Sequence, residues 1–150
     1  MIKGIVAAVP RNVVKNEDRR FVATTGVAER RVAANQTVLD LAYPAVDRLL
    51  EGLHWDVSSI GAIIFVTQTP TLRMPAMAQV LAGEIGYGGA AFDVNLACSG
   101  YVYGLWLASK VKGRVLLVTG DVTSPMTVDS EPGTRNLFGD CVAATGVEWD

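Results

Sequence analysis

Ala91-Phe92-Asp93-Val94-Asn95-Leu96-Ala97-Cys98-Ser99-Gly100 reads as a strand that turns straight into a helix through small residues. The turn places Cys98 at a helix N-terminus, where unpaired backbone N–H groups and the positive end of the helix dipole gather. That is a setting for a sulfur nucleophile in acyl transfer. Local sequence leaves a second reading open, because a free cysteine also packs in a core as a small hydrophobe.

Downstream of this corner, Gly100 to Lys110 reads as a helix, and Arg114 to Thr119 as a buried strand ended by Gly120-Asp121. Upstream, Pro75 to Ile85 is a helix stopped at Gly86. Before it, Ala62 to Val66 is a continuous apolar run, the pattern of a strand covered on both faces. Asn35 or Thr37 caps a helix reaching about Glu51, whose apolar positions Val38, Leu41, Ala42, Ala45, Leu49 and Leu50 share one face. Pro44 predicts a kink or a late start in that helix, and Gly52 predicts its end. Gly4 to Val9 is a first strand ended by Pro10. Val13 to Val32 is polar and mixed, with a turn at Thr24-Thr25-Gly26 and a charged run Glu29-Arg30-Arg31 that reads first as a solvated turn and second as a docking surface for a protein partner. Leu137 to Val147 predicts a final strand broken near Gly139-Asp140. Repeated strand–helix units of this kind make an α/β layered fold with helices on both faces. Ligands of such sheets gather beyond the carboxyl ends of the strands. Cys98, the segment Thr67-Gln68-Thr69 and Asp121 all follow strand ends.

Composition narrows the function classes. The 150 residues fit one domain, with 50% hydrophobic and 19% charged residues. Mean hydropathy is +0.30, so either the core is dense or an apolar face awaits a partner. A net charge of −2 without a basic run points away from nucleic acid and anionic membranes. Two cysteines, Cys98 and Cys141, make neither a disulfide framework nor a metal cluster, which favours a reducing compartment. The apolar start, Met1 to Pro10, is too short for a signal peptide, and no segment has the length of a membrane span. The expectation is a cytoplasmic protein. No G-x-G-x-x-G or G-x-x-x-x-G-K follows a predicted strand, which leaves nucleotide binding without support.

Asn95-Leu96-Ala97-Cys98-Ser99-Gly100, with Thr25-Gly26-Val27-Ala28-Glu29-Arg30-Arg31 upstream and Leu137-Phe138-Gly139-Asp140 downstream, resembles the β-ketoacyl-acyl-carrier-protein synthase III family of thiolase-like condensing enzymes. The likeness runs from near Gly4 to the end. It implies a mixed, mostly parallel sheet with helices on both faces, forming the N-terminal half of a thiolase-like fold over residues 1–150. It implies that Cys98 takes an acyl group from a coenzyme A or carrier-protein thioester. A malonyl thioester on acyl carrier protein then loses carbon dioxide and attacks the acyl-enzyme, giving a β-ketoacyl product. No cofactor or metal is implied beyond these thioester substrates. Met74 matches the family residue that crosses a dimer interface to close the partner's acyl pocket, which implies a homodimer. Arg20 aligns with an aromatic platform for the adenine of coenzyme A, a departure that favours a carrier-bound donor. Thr25 and Phe138 belong to the flanking motifs and are taken with Met74 and Arg20 as substrate-binding candidates. Cys141 follows Gly139-Asp140, where the family has a glycine, and reads as a packing residue.

Family members also use a His and an Asn from the second half of a chain about twice this length. The only histidine here, His54, lies between a helix and the start of the strand at Ala62. Cys98 lies at a strand end, so a parallel sheet sets the two at opposite edges, about 3.3 Å apart per strand residue. The fold implied by the resemblance therefore expects a complementary second half, covering apolar surface on the helices after Gln36 and after Cys98. Three readings follow: the nucleophile-bearing half of a condensing enzyme, a non-catalytic dimerisation or carrier-binding module, and a cysteine hydrolase, which would need a histidine beside Cys98.

Overall fold

The computed structural model describes residues 1–127 and 131–149. In chain order its elements are β1 (Ile2–Ala8), β2 (Val13–Lys15), α1 (Arg19–Thr25), β3 (Glu29–Arg31), α2 (Val38–Leu53), β4 (Ile60–Val66), α3 (Met77–Glu84), β5 (Ala90–Val94), α4 (Gly100–Ala108), β6 (Gly113–Asp121), α5 (Pro132–Arg135) and β7 (Cys141–Trp149). Five strands form one sheet in the order β1-β7-β6-β4-β5, and β2 pairs with β3 as a separate hairpin. β4 is parallel to both β5 and β6, whereas β7 is antiparallel to β6 and β1. Four strands thus share one direction. β7 runs opposite to β6, and among the described residues the link between them holds only short turns and the four-residue helix α5, with no helix of the length that a crossover between parallel strands uses.

The central strands are apolar throughout because both faces are covered. Ile63, Phe65, Leu116, Val118, Val142 and Ala144 face one layer, built from α2 and α3. Ala62, Ile64, Val66, Val115, Leu117 and Val147 face the other layer, built from α4. The alternation is the period-two pleat read through successive strands.

α2 begins as expected at Thr37. A capping box joins Thr37 N–H to Asp40 Oδ2 (2.7 Å) and Asp40 N–H to Thr37 Oγ1 (3.3 Å). Pro44 neither delays the helix nor ends it. The proline removes one bond to the Asp40 carbonyl, on an exposed residue that water reaches, while eight buried side chains hold the helix down. At about 1.5–3 kcal/mol for each large apolar side chain, that burial exceeds the roughly 3 kcal/mol penalty of a helical proline. Gly52 does not stop the helix either. Leu53 extends it by packing over Gly146 of β7, where a side chain would meet Leu53 Cδ1 at 2.5 Å, and His54 adopts the left-handed capping conformation at φ 52°.

α3 has no cap of its own, since Ala76 offers no side-chain acceptor. Asp93 supplies one from the neighbouring strand: its two carboxylate oxygens accept from Met77 N–H and Ala78 N–H, each at 2.7 Å. Asp93→Ala should cost about 1–2 kcal/mol, read as a lower urea midpoint with an unchanged slope. An unshifted midpoint would remove Asp93 from the account of α3.

The surface differs from expectation in two places. The apolar residues of α2 are already buried against the sheet, so that helix offers no uncovered face. α4 does: Val102, Tyr103 and Trp106 are 68%, 51% and 56% exposed on its outer side. Residues 13–32, read as mixed polar chain, form the β2–β3 hairpin with α1 inserted. Arg30 is not part of a solvated turn. It is buried, with Nε donating to Asn16 Oδ1 (3.3 Å) and Nη1 to the Phe138 carbonyl (3.2 Å). Burial first, and the charge of Arg135 second, lower its pKa, with Asp140 opposing them. Among the described residues, no helix is long and apolar enough to cross a membrane.

Candidate active site

Four strand ends meet at one rim, and each brings a polar side chain that organises it. β6 ends on Asp121, whose Oδ1 accepts from Thr67 Oγ1 (2.9 Å), Gln68 N–H (2.5 Å), Thr69 N–H (3.1 Å) and Thr69 Oγ1 (3.2 Å). One carboxylate oxygen thereby holds the chain leaving β4. β7 begins directly opposite, with Cys141 paired to Asp121. Just before it, Asp140 accepts from Ala33 N–H (2.7 Å), Ser124 Oγ (2.6 Å), Thr123 N–H (2.8 Å) and Ser124 N–H (2.9 Å). The Gly139-Asp140 motif is thus a clasp between the chain leaving β3, the chain leaving β6 and the start of β7. These donors lie up to 107 residues away in sequence, which is why the motif alone did not reveal its role.

β5 ends at Val94, and a 3-10 turn over Ala97–Ser99 leads into α4. Ala97 has φ 45°, a left-handed conformation that non-glycine residues adopt at a cost of about 1–2 kcal/mol. This strained corner turns Cys98 outward, and the residue is a free, exposed cysteine. The buried-core reading of Cys98 is excluded. α4 sits close on the sheet because Gly100 and Gly104 form its contact face. A Cβ at Gly100 would lie 2.3 Å from Val66 Cγ1, and one at Gly104 2.7 Å from Leu117 Cδ1. The glycines lower the helix onto β4 and β6, which sets the height of Cys98 above the strand ends.

The other candidates take different places. Met74 lies on the β4–α3 loop and is 85% exposed. Thr25 closes α1. Its hydroxyl donates to the Phe21 carbonyl (2.8 Å) and accepts from Val27 N–H (3.2 Å), so local turn geometry uses it. Arg20 is exposed at the start of α1, where its backbone N–H is capped by Asp18. Phe138 is 47% exposed. Its loop is tied to the hairpin carrying α1 through Arg30 and through Asn16, whose Nδ2 donates to the Asn136 carbonyl (2.9 Å). Phe138 and the Thr25–Arg20 helix therefore belong to one hydrogen-bonded unit, and Cys98 stands on the β4–β5–α4 unit. Among the described residues no hydrogen bond joins Cys98 to Met74, Thr25, Arg20 or Phe138. Cys141 is not a packing residue: it is exposed, and desolvation raises its thiol pKa.

His54 caps the C-terminus of α2 ahead of β4, at the edge of the sheet opposite the rim. Seven residues of β4 separate that edge from the rim, roughly 20 Å at about 3.3 Å per residue. That distance removes the hydrolase reading that needed His54 beside Cys98. Among the described residues there is no group of three or more His, Cys, Asp or Glu placed to hold a metal.

Residues 92–150 match the family of 3-oxoacyl-[acyl-carrier-protein] synthase III. The β-ketoacyl-[acyl-carrier-protein] synthase III of Deinococcus deserti is 36% identical over 163 aligned positions, covering 96% of this chain and 47% of the relative. A second such synthase from Staphylococcus epidermidis is 34% identical over 145 residues, covering 92% of this chain and 44% of the relative. Among solved structures, a 3-oxoacyl-(acyl-carrier protein) synthase from Burkholderia xenovorans superposes with a TM-score of 0.93 at 40% identity, covering 99% of this chain and 48% of that one. The chain spans about half the length of the curated relatives it matches. Sequence and architecture agree that it carries a thiolase-like fold and is akin, over nearly its whole length, to about half of a β-ketoacyl-acyl-carrier-protein synthase III.

Proposed function

We propose that this chain supplies the acyl-accepting half of a β-ketoacyl-acyl-carrier-protein synthase III-type condensing enzyme. The observation that carries the reading is Cys98 itself: a free, exposed thiol held on a strained corner at the head of a nine-residue helix, inside the segment matched to the family. The Cys98 sulfur attacks the carbonyl carbon of an acyl thioester. The carbon–sulfur bond to the donor breaks, the donor leaves as its free thiol with the proton, and the acyl group stays on Cys98 as a thioester. A malonyl thioester then releases carbon dioxide, its carbanion attacks the acyl carbon, and the Cys98 sulfur leaves. Negative charge on the tetrahedral oxygen builds up beside the N-terminus of α4, whose dipole favours it.

Two surfaces support the partners in this reading. β5 is an open sheet edge, with Phe92 on it 39% exposed and Leu96 just beyond it 42% exposed. An apolar edge of this kind suits a homodimer contact. The outer face of α4 suits a complementary segment bearing the His and Asn that activate the malonyl group. Acyl carrier protein is the proposed malonyl donor and the favoured acyl donor, with coenzyme A thioesters as the other source.

The test is to incubate the chain with acetyl and longer acyl thioesters and weigh it intact. The expected result is one acyl adduct on the native chain and none on Cys98→Ala. Absence of an adduct even with a segment carrying the His and Asn supplied would remove the reading.

A further inference from the structure

The last backbone rung between β4 and β5 is Thr67 N–H donating to the Val94 carbonyl at 3.2 Å. One residue further along both chains, side chains continue the ladder: Gln68 Nε2 donates to Asn95 Oδ1 at 2.6 Å. Gln68 is anchored in turn, because its backbone N–H and the hydroxyls of Thr67 and Thr69 converge on Asp121 Oδ1. A continuous series of bonds therefore runs from the end of β6, through the loop after β4, to the loop after β5.

That series ends three residues before Cys98. Between Asn95 and Cys98 the backbone passes through Leu96 (φ −137°, ψ 25°) and then the left-handed Ala97. A non-glycine residue keeps such a conformation only when the chain on both sides is held. Downstream, Ser99 Oγ donates to the Leu96 carbonyl (2.7 Å), and Gly100 is seated against Val66. Upstream, the only side-chain hydrogen bond made by Asn95 among the described residues is the one to Gln68. The pair is exposed, so it contributes little to overall stability. Its place beside the strained corner gives it another use.

We propose that Gln68 and Asn95 are positioning residues for Cys98. Their side-chain hydrogen bond holds the upstream side of the Ala97 corner and so aims the sulfur. Neither residue touches the reacting atom. The inference rests on the reading of Cys98 as the acyl acceptor and adds to it the device that orients the nucleophile.

The experiment uses the full chain with Gln68→Ala, Asn95→Ala and the double variant. Four quantities are read: the rate of acyl-adduct formation from an acyl thioester, the rate of Cys98 alkylation by iodoacetamide, the melting temperature, and amide exchange across residues 95–99. Acyl transfer demands an aligned trajectory, so each single variant should acylate about tenfold to a hundredfold more slowly, while alkylation by the small reagent changes by less than about twofold. The double variant should be no slower than the slower single, because both substitutions break the same bond. The melting temperature should not move.

Unchanged acylation in the single variants, with the native chain acylating, would overturn the positioning role and leave the function intact. So would penalties that multiply in the double variant. So would parallel losses of acylation and alkylation, which would signal general loosening. If the native chain takes no acyl group, the acyl-acceptor reading fails, and exchange then decides the bridge. Faster exchange at 95–99 in Gln68→Ala sustains it as an anchor of the corner, and unchanged exchange removes it.

Discussion

Asp140→Ala should lower stability by about 3 kcal/mol or more. The side chain is 1% exposed and accepts four hydrogen bonds, three from backbone N–H groups and one from the Ser124 hydroxyl. Its own N–H donates to the Arg31 carbonyl at 2.8 Å, so the residue joins three stretches of chain at one point. A buried carboxylate is tolerable only when its lone pairs are filled, and here both oxygens are doubly engaged. Alanine leaves the donors of Ala33, Thr123 and Ser124 without their acceptor, at about 1–3 kcal/mol for each group that water does not reach. For a chain of this length that is a fall in melting temperature of roughly 10 °C.

Asp140→Asn is the sharper variant. It keeps the shape but replaces one acceptor oxygen with an NH2 group that must face donors on either side. It should cost about 2 kcal/mol in a urea titration. If the Asp140→Asn chain proves as stable as the native one, the four contacts do not carry the clasp.

Gly100→Ala should both destabilise the chain and slow acylation of Cys98. The new methyl would sit 2.3 Å from Val66 Cγ1, and Val66 is a buried, β-branched residue with little freedom to turn away. Overpacking of this kind costs about 1–3 kcal/mol, against at most about 1 kcal/mol gained from the better helix propensity of alanine. The helix must then lift from β4, and Cys98 moves with it. A shift of that size should slow acyl transfer about tenfold or more.

Two comparisons make the cause visible. Gly104→Ala meets Leu117 Cδ1 at 2.7 Å, the tip of a longer side chain that can swing aside, so it should cost less. Adding Val66→Ala to Gly100→Ala removes the clashing methyl and should restore acylation, with a coupling of about 1 kcal/mol or more between the two sites. If Gly104→Ala proves the more damaging change, or if Val66→Ala brings no recovery, close seating of α4 is not what positions the nucleophile.

The strand-to-helix corner at Cys98 shows why some of this was legible in the sequence. Ala62 to Val66 and Arg114 to Thr119 are strands because their unbroken apolar composition needs cover on both faces, and a parallel sheet between helical layers provides it. Thr37 announces α2 because its cap is closed by a neighbour three residues away. The run from Ala91 to Gly100 places a cysteine between a strand and a glycine-led helix, and the structure has it at that corner, exposed. The β2–β3 hairpin was missed for the opposite reason. Its strands are three residues long, too short to show an alternation: β2 is Val13-Val14-Lys15, and β3 is the charged Glu29-Arg30-Arg31. What holds it are bonds from Asn16 and Arg30 to carbonyls more than a hundred positions away.

Local periodicity and the small residues before Gly100 were enough, by themselves, to determine the five strands of the main sheet, the helices α2, α3 and α4, and the placing of a thiol at a strand-to-helix corner. Tertiary structure alone decided that Asp93 caps a helix it does not belong to, that Asp121 and Asp140 organise the rim, and that α2 runs past Gly52. It alone decided that Arg30 is buried. The difference is physical. The first set depends on side chains a few residues apart on one element, whose spacing the chain displays directly. The second set depends on unpaired N–H groups and cavities that exist only once distant segments have been brought together.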